Sequence, residues 1–223
     1  MIDTHAFRNL TYGLYVISTT RGGRNVGCIV NTFAQVTSKP AQVTVAVNKD
    51  NFTCGGIQQT GAYEVAVLDE SASMELIGKF GFHSSEDTDK FADVMSSTSM
   101  QELPYVTQSA CAHFSVKVTK ELDLGSHMLF IGDVVAAEVL QGEAPMSYAY
   151  YHEVKGGKTP PKASSYNEEV EVAMPETKED QEKPKYAWQC SICGHIEYVE
   201  ELPEDFVCPV CGVGRELFKR IVL

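Results

Sequence analysis

The sequence has few basic residues for its length. It contains 18 lysines and arginines against 30 aspartates and glutamates, which gives a formal net charge of −12. Because binding to phosphate-rich surfaces needs clustered lysine and arginine, this composition argues against nucleic acids and anionic membranes as partners. The acidity has two open explanations: it confers solubility, or it forms an acidic face for a basic protein partner.

Three further features are missing. No basic-then-apolar leader opens the chain, and no uninterrupted apolar run approaches the ~20 residues that cross a bilayer. We therefore expect a cytoplasmic protein. The chain also lacks a Gly-x-Gly-x-x-Gly motif, because the Gly55-Gly56 pair is too short to count. We accordingly expect no separate dinucleotide-binding domain.

The seven cysteines fall into two sets. Cys28, Cys54 and Cys111 stand alone, and we expect them to be buried as small hydrophobic residues. An odd total with two tight Cys-x-x-Cys pairs is unlike a secreted disulfide framework, and it indicates one metal site in a reducing compartment. The paired residues near the C-terminus are Cys190, Cys193, Cys208 and Cys211.

The pattern along the chain predicts three segments. Residues 1–154 are expected to form a mainly β domain with short helices, since alternating apolar residues such as Val43, Val45 and Val47 are typical of half-buried strands. Many strands with short helices between them predict a barrel. Residues 155–185 are rich in proline and charge, which predicts a flexible acidic linker. Residues 186–223 form a small segment that carries the paired cysteines.

Each cysteine pair is followed by a glycine, Gly194 or Gly212, which permits a tight turn with backbone N–H groups directed at the sulfurs. Two such knuckles facing each other place four thiolates in a tetrahedron, which suits iron or zinc. A structural zinc ribbon is therefore one reading. Aromatic residues around the cysteines favour iron, because burial tunes an iron potential whereas a structural zinc has no redox chemistry. These residues are Tyr186, Trp188, Tyr198, Phe206 and Phe218.

The motif around these cysteines resembles rubredoxin. Trp188-x-Cys-x-x-Cys-Gly-His is followed by Leu-Pro-Glu-Asp-Phe at residues 202–206 and then by Cys-Pro-x-Cys-Gly-x-Gly. The resemblance covers residues 186–220 and implies one iron ion held by the four cysteines. Only fourteen residues separate Cys193 from Cys208. Free-standing rubredoxins have a longer loop there, so this resembles the shortened module that is fused to other redox domains.

The N-terminal domain resembles the flavin reductase family, which uses an FMN-binding split β-barrel. The similarity rests on residues 27–40, which read Gly-Cys-Ile-Val-Asn-Thr-Phe-Ala-Gln-Val-Thr-Ser-Lys-Pro, and on Asn-Lys-Asp-Asn-Phe-Thr at residues 48–53. An ordinary strand and a surface turn with a helix cap are the alternatives. The resemblance implies flavin contacts by Asn31, Thr32, Phe33, Ala34, Val36, Thr37 and Asn48, and phosphate contacts by Lys49 and Thr53.

Three more residues are candidates to border the flavin or a nicotinamide. His83 ends a Phe-Gly-Phe-His segment where the family often has a residue over the flavin ring, and a plain helix end is the alternative. Tyr150 and His152 belong to Tyr-Ala-Tyr-Tyr-His at residues 148–152, which resembles a terminal motif of flavoredoxin-like members. Core packing of the tyrosines with an exposed histidine is the alternative for this segment.

The two domains together resemble the high-molecular-weight rubredoxins of anaerobes. The resemblance implies that NADH or NADPH reduces FMN, that single electrons pass to iron, and that no acid–base residue is obligatory. It also implies a homodimer and an acceptor such as a flavodiiron protein that reduces oxygen or nitric oxide. Two alternatives stay open: a non-enzymatic electron carrier reduced by another protein, and a flavin reductase with a zinc-ribbon docking tail.

Overall fold

A computed structural model of the chain describes residues 2–140, 142–160, 163–166, 186–199 and 201–222. Most of the predicted linker, namely residues 161–162 and 167–185, lies outside the described residues, and the predicted domain boundaries stay a prediction. None of the described helices has the length and apolar character needed to cross a membrane.

The N-terminal domain is built on one antiparallel sheet of seven strands. In spatial order these are β2 (Arg24–Val30), β1 (Tyr15–Arg21), β5 (Ala62–Leu68), β8 (Ala110–Asp123), β9 (His127–Val139), β4 (Ala41–Asn48) and β3 (Ala34–Ser38). A separate hairpin consists of β6 (Ser96–Thr98) and β7 (Pro104–Val106). The helices are α1 (Phe52–Thr60), α2 (Met74–Gly81) and α3 (Tyr148–Glu153), with a 3-10 helix at Thr4–Asn9.

The two longer helices have clear start signals. Asn51 caps α1 by accepting a 3.0 Å hydrogen bond from the backbone N–H of Thr53, and Gly61 ends it in the left-handed conformation. Ser73 caps α2 in the same way, with 3.1 Å between its Oγ and the backbone nitrogen of Leu76. These caps fix where each helix begins. The start of α1 and the end of α2 border the site described below.

The sheet separates two hydrophobic cores. Val16 and Ile17 are neighbours on β1 but enter different cores, because successive side chains of a strand face opposite sides. Helix α2 covers the Val16 side with its buried residues Ile77 and Phe80. Helix α1 contributes Ile57 to the other core, which also receives the alternating valines of β4.

The C-terminal domain has a sheet of three strands, in the order β11 (Ile196–Glu197), β10 (Tyr186–Cys190) and β12 (Phe218–Val222), with a 3-10 helix at Arg215–Leu217. A third core surrounds its four cysteines. The expectation of a mainly β protein with short helices is therefore confirmed.

Candidate metal centre and adjoining pocket

The four paired cysteines meet at one point in the C-terminal domain. Their sulfur atoms all lie within 4.8 Å of one another, with Sγ to Sγ distances of 3.5 Å between Cys190 and Cys211 and between Cys193 and Cys208. All four are buried, with exposed fractions of 1–7%. Four sulfurs grouped in this way form a tetrahedral thiolate site for iron or zinc.

Two knuckles of the same construction position these sulfurs. Gly194 has φ +76° and Gly212 has φ +72°, a left-handed conformation that favours glycine. The N–H of each glycine donates to the carbonyl of the first cysteine in its pair, at 3.0 Å to Cys190 and 2.9 Å to Cys208. The repeated turn explains why Cys-x-x-Cys-Gly occurs twice in this segment.

The pKa values of two of these thiols, those of Cys193 and Cys208, are raised. Burial raises the pKa of Cys208 to about 11. A hydrogen bond with Cys211, followed by burial, raises the pKa of Cys193 above its usual range. Metal binding must therefore displace protons from the site, and we expect the affinity for a metal to rise with pH.

Aromatic residues cover the cysteines only in part. Trp188, Phe206 and Phe218 pack in or against the cysteine core, as expected. Tyr186 and Tyr198 are 40% and 37% exposed and therefore lie partly in solvent. Further cover comes from the other domain, which packs Met74 and Phe82 against the cysteine core.

A pocket of about 540 Å³ adjoins this centre, within the roughly 300–1,000 Å³ range of small-molecule and cofactor sites. It is bordered by residues from β2 and β4, by the start of α1 and by the end of α2, and three of the residues predicted to contact a flavin, Asn31, Asn48 and His83, are among its lining residues. Ser191 and Ile192 of the first knuckle form part of its wall. The pocket and the cysteine centre are therefore direct neighbours within one chain.

Thr53 is the second residue of α1; it is completely buried and is not among the residues that line the pocket. Its Oγ1 has no hydrogen bond of ordinary geometry, although it is close enough to the Cys28 thiol to influence it. Burial raises the pKa of Cys28 to about 11, so this pocket-lining thiol stays neutral. A buried hydroxyl without a partner lowers the stability of the fold.

Several other predicted flavin residues are engaged elsewhere. The hydroxyl of Thr32 donates to the carbonyl of Ala46 at 3.0 Å, and the ring of Phe33 packs against Tyr15 at a centroid distance of 5.3 Å. Lys49 pairs with Asp123 at 2.8 Å on the surface. Ala34, Val36 and Thr37 are exposed on the edge strand β3.

Helix α3 presents tyrosines to the pocket that the sequence analysis did not select. Tyr148 and Tyr151 line the pocket, whereas Tyr150 and His152 do not. His152 contacts the carbonyl of Gly157 through Nδ1 at 2.8 Å. The spacing of three residues between Tyr148 and Tyr151 was the available signal, because such residues share a helix face.

The start of the predicted linker also reaches the pocket. Pro160, Ala163 and Ser164 line it, and the Asn31 side-chain amide donates to Ser165 Oγ at 2.7 Å. The described residues of this segment thus close one side of the pocket.

Comparison with known proteins agrees with this arrangement. The family model described as flavin reductase like domain matches residues 7–157, and that of the rubrerythrin, rubredoxin-like domain matches residues 188–219. High molecular weight rubredoxin of Moorella thermoacetica is 39% identical over 236 residues, which cover 99% of this chain and all of that protein.

Two further proteins resemble the N-terminal part. A ferric-chelate reductase (NAD(P)H) of Archaeoglobus fulgidus is 44% identical over 167 residues, covering 75% of this chain and 99% of that protein. A flavin reductase solved in its native state is 28% identical with a TM-score of 0.55, covering 66% of this chain and 93% of its own.

The chain belongs to the flavin reductase-like family and carries a rubredoxin-like domain after the flavin reductase-like domain. The predicted fold class and the resemblance to high-molecular-weight rubredoxins are confirmed. This combination supports electron transfer through flavin and iron, and the chain is an oxidoreductase of that kind.

Proposed function

We propose that the chain transfers electrons from NADH or NADPH through bound FMN to one iron ion, and from there to an acceptor protein. The observation that carries this proposal is the shared wall: Ser191 and Ile192 belong to the first cysteine knuckle and also line the pocket. A flavin converts hydride chemistry into single-electron chemistry, and an adjacent iron centre accepts electrons of that kind.

The residues of the pocket fit a flavin mononucleotide. The start of α1 borders the pocket through Asn51 and Phe52, and it turns the positive end of the helix dipole towards a phosphate bound there. Asn31, Asn48, Tyr148 and Tyr151 offer polar and aromatic contacts for the ring system. The absence of a second nucleotide-binding motif in the sequence supports FMN rather than FAD.

The four cysteines fit iron. Their sulfurs form a closed set of four soft ligands, and neighbouring apolar residues keep water from them. The proximity of the pocket favours iron over zinc, because zinc has no redox chemistry to use there.

The donor, acceptor and assembly are parts of the same proposal. The name of the Archaeoglobus relative includes NAD(P)H, which supports a nicotinamide donor that binds transiently at the pocket. A flavodiiron protein is the acceptor that we propose, and we further propose that the chain is a cytoplasmic homodimer. The cysteines of the described residues are all free of disulfides, which agrees with a reducing compartment.

The variant Cys208→Ser tests the order of electron flow. We expect it to abolish electron delivery to a flavodiiron protein while flavin reduction by NADH continues at the wild-type rate. Anaerobic stopped-flow absorbance measures both reactions. Cys111→Ser is the matched control, since Cys111 is remote from the metal ligands in sequence and outside their cluster, and it should retain both reactions. Loss of flavin reduction in a folded Cys208→Ser protein would mean that the order is wrong.

A second candidate function is the direct reduction of ferric chelates by the flavin domain. It is favoured by the 44% identity to a ferric-chelate reductase over 99% of that protein. The same Cys208→Ser variant separates the two functions. If Cys208→Ser still reduces ferric chelates, the flavin domain alone carries that activity. If the variant loses the activity, the electrons reach the chelate through the cysteine centre.

A further inference from the structure

The two domains meet through helix α2 and the second cysteine knuckle. The Nε2 of His83 lies 3.0 Å from the carbonyl oxygen of Cys211, and because a carbonyl only accepts, the histidine N–H is the donor. His83 also lines the pocket on its other side. This residue therefore contacts a metal-ligand backbone and the pocket at once.

Gly78 makes the approach of the domains close. A Cβ atom at this position would lie 2.9 Å from the carbonyl oxygen of Val210 and 3.1 Å from the Cα of Cys211, both of which are backbone atoms. Glycine inside a helix costs about 1 kcal/mol relative to alanine. The bare backbone at Gly78 is what lets the second knuckle rest on the helix.

Apolar contacts support the same junction. Met74 precedes Gly78 by one turn and Phe82 follows it by one turn, and both pack against the cysteine core. Residues four apart lie on one face of a helix, so these three residues form a continuous strip. We call this strip, together with His83, the docking seat.

We infer that the docking seat holds the rubredoxin-like domain in the one orientation that presses its first knuckle against the flavin pocket, and that His83 is the positioning residue. The second knuckle rests on the seat, and the first knuckle then supplies Ser191 and Ile192 to the pocket wall. The seat thus determines the separation between the flavin and the iron. The consequence for electron transfer rests on the proposed function, whereas the docking itself is tested without it.

The variant Gly78→Ala tests the seat, because its effects on the helix and on the junction have opposite signs. Alanine strengthens α2 itself, whereas its Cβ collides with the knuckle backbone. We expect the full-length, metal-loaded protein to show a larger radius of gyration in small-angle X-ray scattering, with flavin still bound. We also expect transfer from reduced flavin to iron to slow by about tenfold, because a docking free energy weakened by about 1.4 kcal/mol lowers the ratio of docked to undocked protein tenfold.

Gly81→Ala is the matched control for docking on the same helix. Its Cβ would meet only the side chain of Ile29, at an ordinary 3.6 Å, so the radius of gyration should equal that of the wild type. Because Gly81 lines the pocket, this control is read by scattering and not by the transfer rate. A role for His83 in positioning predicts that His83→Ala separates the domains, and that His83→Gln, which keeps an N–H donor, restores docking and transfer.

The inference is overturned if Gly78→Ala leaves both the radius of gyration and the flavin-to-iron rate unchanged, or if Gly81→Ala enlarges the radius of gyration as much as Gly78→Ala does. Scattering needs no electron donor, and flavin can be reduced by light with a sacrificial donor. A failure of NADH or NADPH to reduce the flavin would therefore count against the proposed donor alone.

Discussion

At the scale of single residues, Thr53 and Thr19 are two fully buried threonines whose hydroxyls have different surroundings. The sequence placed a hydroxyl near the start of a probable helix, and the structure buries it without a partner. Thr19 is equally buried, but its hydroxyl contacts Thr60 at 2.9 Å and donates to the carbonyl of Ala62 at 3.0 Å. The same substitution, threonine to valine, can therefore be compared at a hydroxyl without a partner and at a hydroxyl with two partners.

We predict opposite effects on stability from the two threonine-to-valine substitutions. Thr53→Val should stabilise the flavin-free protein by about 1 kcal/mol, because an unsatisfied buried hydroxyl is replaced by a methyl group of similar volume. Thr19→Val should destabilise it by about 1–2 kcal/mol, because it removes satisfied hydrogen bonds. Chemical denaturation followed by circular dichroism measures both values.

Flavin binding completes this comparison. Thr53→Val should weaken FMN binding by about tenfold, the effect of one hydrogen bond to a charged oxygen, while Thr19→Val leaves it unchanged. Titration of the apoprotein with FMN, followed by quenching of flavin fluorescence, gives the affinities. Equal FMN affinity in wild type and Thr53→Val would remove Thr53 from the proposed phosphate site.

At the scale of elements, a buried polar network joins the sheet to the β6–β7 hairpin. Glu64 of β5 is fully buried and accepts from Ser99 at 2.6 Å and from Ser115 at 2.5 Å. His113 of β8 contacts Glu64 through Nε2 at 2.7 Å and Glu138 of β9 through Nδ1 at 3.0 Å. The sequence analysis could not predict this network, because its partners come from distant positions and no local spacing connects them.

This network predicts a large effect from a small change. Glu64→Gln should lower the free energy of unfolding by roughly 3 kcal/mol, since an amide cannot accept the hydrogen bonds of His113 and Ser115 through its NH₂ group. Denaturant titration gives the value. Asp123→Asn at the exposed pair with Lys49 is the control, and we expect no measurable change there because solvent screens that pair. Similar losses in the two variants would contradict a special role for the buried network.

At the scale of the whole molecule, prediction from sequence worked where the chemistry is local. The four metal ligands were predictable because Cys-x-x-Cys-Gly fixes a knuckle within five residues. The lining of the pocket was predictable only in part: of the residues predicted to contact a flavin, Asn31, Asn48 and His83 line it, but its residues Tyr148 and Tyr151 were missed. The contact between His83 and Cys211 joins residues far apart in the chain, and no local pattern in the sequence predicts it.

The arrangement of the molecule explains why a small iron domain is joined to a flavin domain. One surface of α2 supplies apolar cover to the cysteines, and one knuckle supplies a wall to the pocket. Each domain thus completes the site of the other. The central claim is that electrons from a nicotinamide donor reduce both the flavin and the iron of a single chain.

An anaerobic titration of the purified protein with NADH and with NADPH, followed by visible absorption, tests this claim most directly. We predict that the flavin and iron bands both bleach and that about 1.5 equivalents of the preferred nucleotide suffice, because one flavin and one iron together store three electrons. A colourless metal site that contains zinc, or an iron band that persists after the flavin has bleached, would contradict the account.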